Sequence, residues 1–533
     1  MPVRDTFLRS LIPARRRIAR AGRCAAGASR VLLAGACLIA GCAPAPTPDP
    51  QTEPAAYASP LVRLQQLVGD NDHLHVDEVR YRAADGKLFQ CAYQFGVVDA
   101  RDPTRMRYLA QGLRHAVPGD PRAPGCIHLA ADGDVVYTTH RGNIDNPAFL
   151  SGWDLRPHPD DPSVLDPVQL PVLQEPGVSY EGIDVANGYI YVALRRQGLG
   201  IYDRDVEGGF RRVGAASGFS NAWGVRVRGT LAFVTDGLDG LAVVDVADPR
   251  QPRVIGRVET GGQARGLAVG GDIVYVAAGS RGLVLVDVSD AAAPAVVGRA
   301  DDVPTTAIRV DYADGRAYVA AWSDVRAYDV ADPAAPRFLG AARLTRDLRY
   351  PDAGRPPVTS RTLGVAAAGD AVLVGNWHVL YSYQVHPARL APNIVLPETV
   401  NLLDFGRVAD AESRAITVPV GNQGTAPLTI LAVTTDNPSF AVAPGPLRLA
   451  PGETREVEVR YTASGPAPAS SLLEFQSNDP AEAVRRGFLT ANQPGLGIGQ
   501  PLPEVRVDLV DGGQWSSGDA VGDVVLLAYF ATF

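Results

Sequence analysis

Leu241-Ala-Val-Val-Asp245-Val246 and, 42 residues further on, Leu283-Val-Leu-Val-Asp287-Val288 are one strand written twice. Each copy extends backwards in the same way. Gly224-Val-Arg-Val227 and Leu231-Ala-Phe-Val234 precede the first, and Gly266-Leu-Ala-Val269 and Ile273-Val-Tyr-Val276 precede the second. A third copy reads Ala307-Ile-Arg-Val310, Ala317-Tyr-Val-Ala320 and Val325-Arg-Ala-Tyr-Asp329-Val330. Asp203, Asp245, Asp287 and Asp329 mark the period of 42. Fainter copies flank these: Gly96-Val-Val-Asp99 with Asp102-Pro103, 127–138 with Gly152-Trp153-Asp154-Leu155, 182–203, and Gly364-Val365 with 371–374 and 379–383. Seven units therefore lie between residues 73 and 388.

Each unit holds three or four short β-branched or aromatic runs punctuated by Gly, Asp and Pro, the pattern of strands and tight turns. A period of about 40–45 residues with four strands per unit reads as the blade of a β-propeller, and seven blades close a ring that leaves few exposed edges. The Leu-Val-x-Val-Asp core followed by Asp-Pro resembles the LVIVD repeat family of bacterial surface proteins. That resemblance spans about 315 residues and implies a fold rather than a ligand. The recurring Asp reads as a turn residue that accepts backbone N–H groups.

The expected fold class is all-β, and composition agrees. Gly (55) and Pro (43) supply about 18% of 533 residues, well above the roughly 12% of average usage. Residues 1–41 carry eight Arg and one Asp, then an apolar run 31–40 ending Leu38-Ile-Ala-Gly41-Cys42. Ten helical residues span about 15 Å, half of a bilayer core, so this is a secretory h-region and not a membrane span. The run resembles the lipobox of bacterial lipoproteins, which implies cleavage before Cys42, its acylation, and a membrane-anchored place in the cell envelope. The multiple acyl chains of such a cysteine anchor stably where one chain would not. Removal of 1–41 takes basic residues from 50 to 42 and acidic ones from 58 to 57, so the charge falls from -8 to -15. That excludes a nucleic-acid footprint. Residues 42–72, with Pro at 44, 46, 48, 50, 54 and 60, read as an extended tether.

Two cysteines remain beyond Cys42. Cys91 and Cys126 lie in neighbouring blades and read either as a disulfide or as two buried thiols. His73 and His75 share a face of an extended segment and, with His128 of the next blade, are a candidate divalent-metal set; the alternative is a polar lead-in loop. Asp184, Arg226 and Arg309 are aligned at one inner-strand position, facing the channel. Insertions at 141–152, 157–180 and 344–361 are candidate partner-binding loops.

Residues 393–492 change character. Strand runs at 403–405, 415–420, 428–430, 456–461 and 472–475 predict an immunoglobulin-like sandwich. Asp404-Phe-Gly-Arg-Val408, 421–428, Leu449-Ala-Pro-Gly-Glu453 and Ser477-Asn-Asp-Pro480 resemble the ASH or choice-of-anchor D domains. Residues 496–533 resemble the opening of a redoxin, thioredoxin-like domain: Gly499-Gln-Pro-Leu-Pro-Glu504, then an apolar run ending Phe530-Ala-Thr-Phe533, where the family's reactive Cys would follow. The sequence contains no Cys-x-x-Cys, His-Glu-x-x-His, Gly-x-Ser-x-Gly or phosphate loop, so no catalytic residue is assigned. The expected function is a membrane-anchored envelope lipoprotein whose propeller loops or channel bind an envelope protein or polysaccharide. The alternative is a tethered thiol-disulfide oxidoreductase whose catalytic part is missing from this chain.

Overall fold

The computed structural model describes residues 57–68, 76–92, 94–116, 125–142, 147–204, 209–300, 306–322, 324–344, 361–376, 379–443, 445–492, 506–508 and 514–516. Apart from one 3₁₀ turn, Glu398–Asn401, regular structure among these residues is entirely strand. None of them forms a helix long and apolar enough to cross a membrane.

Between Leu61 and Val385 the described strands form seven four-stranded sheets. Their innermost strands are Val76–Arg82, His128–Asp132, Ile183–Ala186, Gly224–Arg228, Leu267–Gly270, Arg309–Ala313 and Thr362–Ala368, and they define blades 1 to 7. Each packs beside the next, and that of blade 7 packs beside that of blade 1, so the ring closes.

The repeat's third strand shows why the ring forms. Leu283–Asp287 is buried on both faces, and so is Leu241–Asp245. Leu283 and Leu285 join the core between blades 5 and 6, while Val284 and Val286 join the core between blades 4 and 5. A continuous apolar run without alternation is what a strand walled by a sheet on each side requires. Each fully buried Val or Leu contributes roughly 1.5–3 kcal/mol, and no single blade can bury both its faces alone.

The repeating acids act on the turns. Asp287 Oδ1 accepts the Ser289 N–H at 2.8 Å, and Asp290 Oδ1 accepts that of Ala292 at 3.0 Å. Asp245 with Asp248, and Asp329 with Asp332, repeat the arrangement. These turns seat against a second periodic feature, the glycines at 214, 256, 298 and 340 on the outermost strands, each just after a bulge. The Asp turn of the next blade lies directly on them at Gly214, Gly256 and Gly298, with the carbonyls of Pro249, Ala291 and Pro333 in the place a Cβ would take.

One boundary differs from the sequence reading. The tether was expected to run through residue 72, yet Leu61–Val68 is a strand and forms the outer edge of blade 7, from Leu61 opposite Val385 to Val68 opposite Val379. The last repeat shows only three strand runs in sequence because its fourth comes from the other end of the propeller. Leu61 and Leu67 pack into the ring while Arg63 and Gln66 face water. Blade 2 takes its short outer strand, Val168-Gln169, from within the expected insertion 157–180. Most of the 344–361 insertion lies outside the described residues.

Residues 394–491 form the expected sandwich. One sheet runs Ile394-Val395, Ser413–Asn422, Thr454–Thr462, Phe440–Val442. The other runs Leu403-Asp404, Val484–Ala491, Ala469–Ser477, Leu428–Thr435, Leu447–Leu449. Phe405, Phe440, Tyr461 and Phe475 fill the space between them. The sandwich meets blade 6 through charge. Arg343 Nη1 lies 3.2 Å from Glu482 Oε2, and the fully enclosed Arg326 donates to Gln423 Oε1 at 3.1 Å. Beyond it, Arg506–Asp508 pairs with Gln514–Ser516. The rest of the redoxin-like segment, and Cys42, lie outside the described residues.

Gly298→Val tests the seating of turn on strand. The new side chain meets the Pro333 carbonyl, so the urea midpoint is expected to fall by an amount equivalent to about 1–3 kcal/mol. An unchanged midpoint contradicts this account of the period-42 glycines.

Candidate functional site

The inner strands face the channel in tiers. At the first tier, four blades place glycine: Gly182, Gly224, Gly266 and Gly364. A Cβ on any of these would come within 2.9 Å of the neighbouring blade's backbone, so the inner strands approach as closely as main chains allow. The three remaining blades place Glu78, His128 and Arg309 at this tier, opposite Cys91, Thr139 and Ala320 of their second strands.

These three side chains meet in the channel. Glu78 and His128 are 3% and 4% exposed. Glu78 Oε2 lies 2.8 Å from His128 Nδ1 and 3.6 Å from Arg309 Nη1. Arg309 also lies 3.1 Å from His128 Nδ1 and donates to the carbonyls of Asp77 (3.0 Å) and Ile127 (3.2 Å). It thus reaches from blade 6 across to blades 1 and 2. Nδ1 of His128 can serve only one of its two neighbours at a time. Its burial and the nearby Arg309 cation hold the imidazole neutral, with pKa below the usual range. Burial opposes ionisation of Glu78, but Arg309, Arg80 and His128 together outweigh it and hold the carboxyl well below the usual range.

The second tier is also charged: Arg80, Asp184, Arg226 and Asp311, separated by the small Ala130, Ala268 and Ala366. Arg80 reaches Glu78 at 2.8 Å and Arg226 reaches it at 3.9 Å. Asp184 and Asp311 turn sideways and accept backbone N–H groups from the next blade, Val227 at 2.7 Å and Ala367 at 2.9 Å. Here one alignment is corrected. Arg226 and Asp184 do share a tier, but Arg309 sits one tier above them and Asp311 is their true counterpart. Blade 6 arrives one residue late in the period, and the repeated Arg-Val dipeptide (226–227 and 309–310) masks the slip.

Just outside the first tier lies a rim. Glu181 is fully buried and grips Arg141 (3.1 and 2.7 Å) and Arg195 (2.6 Å). Both guanidinium groups sit over the Trp223 ring, at 5.4 and 4.6 Å from its centroid, and Arg265 joins them at 5.4 Å. Of the rim residues only Arg141 falls in a stretch marked in the sequence, at the start of the 141–152 insertion; Glu181, Arg195, Trp223 and Arg265 are not singled out there, and neither is Glu78 as a channel residue. The available signal was the break in the first-tier glycine pattern at Glu78, His128 and Arg309.

The remaining candidates are placed as follows. Cys91 and Cys126 form a disulfide with Cα atoms 5.3 Å apart. It ties blade 1 to blade 2 directly behind Glu78 and His128. In the chain-entropy view, closing its 35-residue loop stabilises by roughly 3–4 kcal/mol. His73 and His75 lie outside the described residues. His128 is engaged with Glu78 and Arg309, and no cluster of three or more metal-ligating side chains occurs among the described residues.

Two LVIVD repeats match this chain. They cover residues 220–260 and 261–302, which are blades 4 and 5. The sandwich matches the HYDIN/CFA65/VesB-like Ig-like domain over residues 396–486. No curated protein matches the chain. Among solved structures, U3-55K is 12% identical over 61% of this chain and 98% of its own, with a TM-score of 0.45. The RRP9 WD40 repeats are 13% identical over 62% and 99%, with a TM-score of 0.45. Streptogramin B lyase is 9% identical over 62% and 99%, also at 0.45. Likeness at this level says nothing of function.

The second tier gives a pH signature. Burial raises the Asp184 carboxyl to about 6, with Arg80 and two backbone N–H groups opposing. The folded state therefore favours the protonated form, so this residue's contribution falls as pH rises from about 4 to about 6 and is level above. The loss is at most about 3 kcal/mol, reduced by whatever water enters the channel. Asp184→Asn keeps an acceptor for Val227 and cannot ionise. Its urea midpoint, relative to the parent, is expected to rise between pH 4 and 6 and then hold constant. A difference independent of pH rejects this reading.

Proposed function

We propose that the chain is a recognition module of the bacterial cell envelope, anchored through an acylated Cys42, whose propeller binds its ligand at the channel mouth. The observation that carries the binding site is the gathering of Glu78, His128 and Arg309 at the first tier, with the Trp223 rim above them. Burying so many charges is costly, and a ring held together by its blade cores does not need them there. The small residues around them, Gly182, Gly224 and Gly266, keep the mouth from closing over with bulky side chains. The anchor rests on the lipobox-like run 38–42 and the tether after it. The sandwich is read as a spacer or second contact surface, joined to blade 6 through Arg343 and Glu482.

Two measurements test the proposal. The full chain is expected in the membrane fraction, and Cys42→Ser is expected to release it. The tagged full chain is then used to capture partners from solubilised envelope. A saturable protein or polysaccharide partner, displaced by substitution at the rim, supports the reading. Absence of any saturable partner overturns it.

A further inference from the structure

The arginines of the rim are unequal. Arg141 and Arg195 share the carboxylate of Glu181, which each grips at hydrogen-bond distance. Arg265 stands at the same tryptophan and has no carboxylate partner among the described residues. It donates through Nε and one terminal nitrogen to the same neutral oxygen, Gln263 Oε1, at 3.2 and 2.7 Å. Three guanidinium groups thus crowd one indole ring with one carboxylate between them.

The electrostatics point the same way. Burial first, and then the neighbouring Arg141, Arg195 and Arg309 cations, pull the Arg265 pKa below its usual range. Like charges near a half-buried guanidinium cost free energy in the empty protein. An incoming anion removes that cost while forming charge-assisted hydrogen bonds. Arg309, the cation at the first tier, already has Glu78. The positive excess therefore collects at Arg265, at the outer end of the channel, in a chain whose overall charge is -8.

We propose that Arg265, flanked by Trp223, Arg141 and Arg195, binds a carboxylate of the ligand, in the way Glu181 holds its two neighbours from within. Carboxylate is favoured because the guanidinium fork matches its two oxygens and the same rim already pairs guanidinium with carboxylate. The proposal deepens the recognition reading and rests on it for the place of the site. It is separable from it, since a ligand captured from the envelope without dependence on Arg265 would keep recognition and remove this chemistry.

The test is calorimetric titration of the purified full chain with galacturonate, glutarate, inorganic phosphate and galactose at low ionic strength. Galacturonate and glutarate are expected to bind, galactose is not, and added salt is expected to weaken binding. Preference for galacturonate over glutarate would assign the carboxylate to an acidic sugar, and the reverse to an acyclic acid. Arg265→Gln is expected to weaken binding at least tenfold, with Arg265→Lys intermediate and Arg253→Gln on the outer strand unchanged. Because Arg265 is crowded by like charge, Arg265→Gln is expected to melt no lower than the parent without ligand. The carboxylates should raise the melting temperature of the parent and of Arg253→Gln, but not that of Arg265→Gln. Binding of phosphate alone, binding unaffected by Arg265→Gln, or no binding by either carboxylate overturns the proposal.

Discussion

The close approach of main chains at the first channel tier governs this molecule. Gly182, Gly224, Gly266 and Gly364 let each inner strand lie against the next without an intervening side chain. The axial space is then supplied by the three blades that depart from glycine. An isolated charge there would be prohibitive. Glu78, His128 and Arg309 therefore occur as a set, and each compensates another from a different blade. The tier below follows the same logic, with Asp184 and Asp311 spending their oxygens on neighbouring backbone N–H groups. Ring closure and the chemistry of the mouth are thus two results of one packing constraint.

Much of the fold was legible because its cause repeats. A strand buried on both faces must be apolar throughout, so Leu241–Asp245 and Leu283–Asp287 announce themselves every 42 residues. The strand Leu61–Val68 was not legible. Its mixture of leucines and glutamines follows a Pro-rich run, and its partner lies more than three hundred residues away in sequence. Turn acids such as Asp287 were readable from local chemistry alone, whereas the glycines at 214, 256 and 298 matter only through contact with the next blade.

The site was less legible than the fold. His128, Asp184, Arg226 and Arg309 could be placed on inner strands, but their tiers depend on hairpin register, which a one-residue slip in blade 6 obscured. Trp223, Arg265 and Glu181 precede their strands and share no residue type, so the repeat hides them. Net charge also misled in kind: an acidic total describes the surface average, while the channel mouth gathers arginine.

The closing strand has a mechanical consequence. Leu61 pairs with Val385, so the chain entering the propeller and the chain leaving it toward the sandwich emerge at the same end of one strand pair. His386 donates to the Pro60 carbonyl at 2.8 Å and Arg389 to that of Ser59 at 3.2 Å, which knots this end. Tension between the segment before Leu61 and the sandwich would be shared by this knot and by the Arg343–Glu482 and Arg326–Gln423 contacts that hold the sandwich to blade 6, and would bypass the other five blades. Antiparallel strands pulled from one end peel bond by bond instead of sliding in shear. Under load the ring would open at a defined seam, while the arginine rim built by blades 2 to 5 keeps its shape.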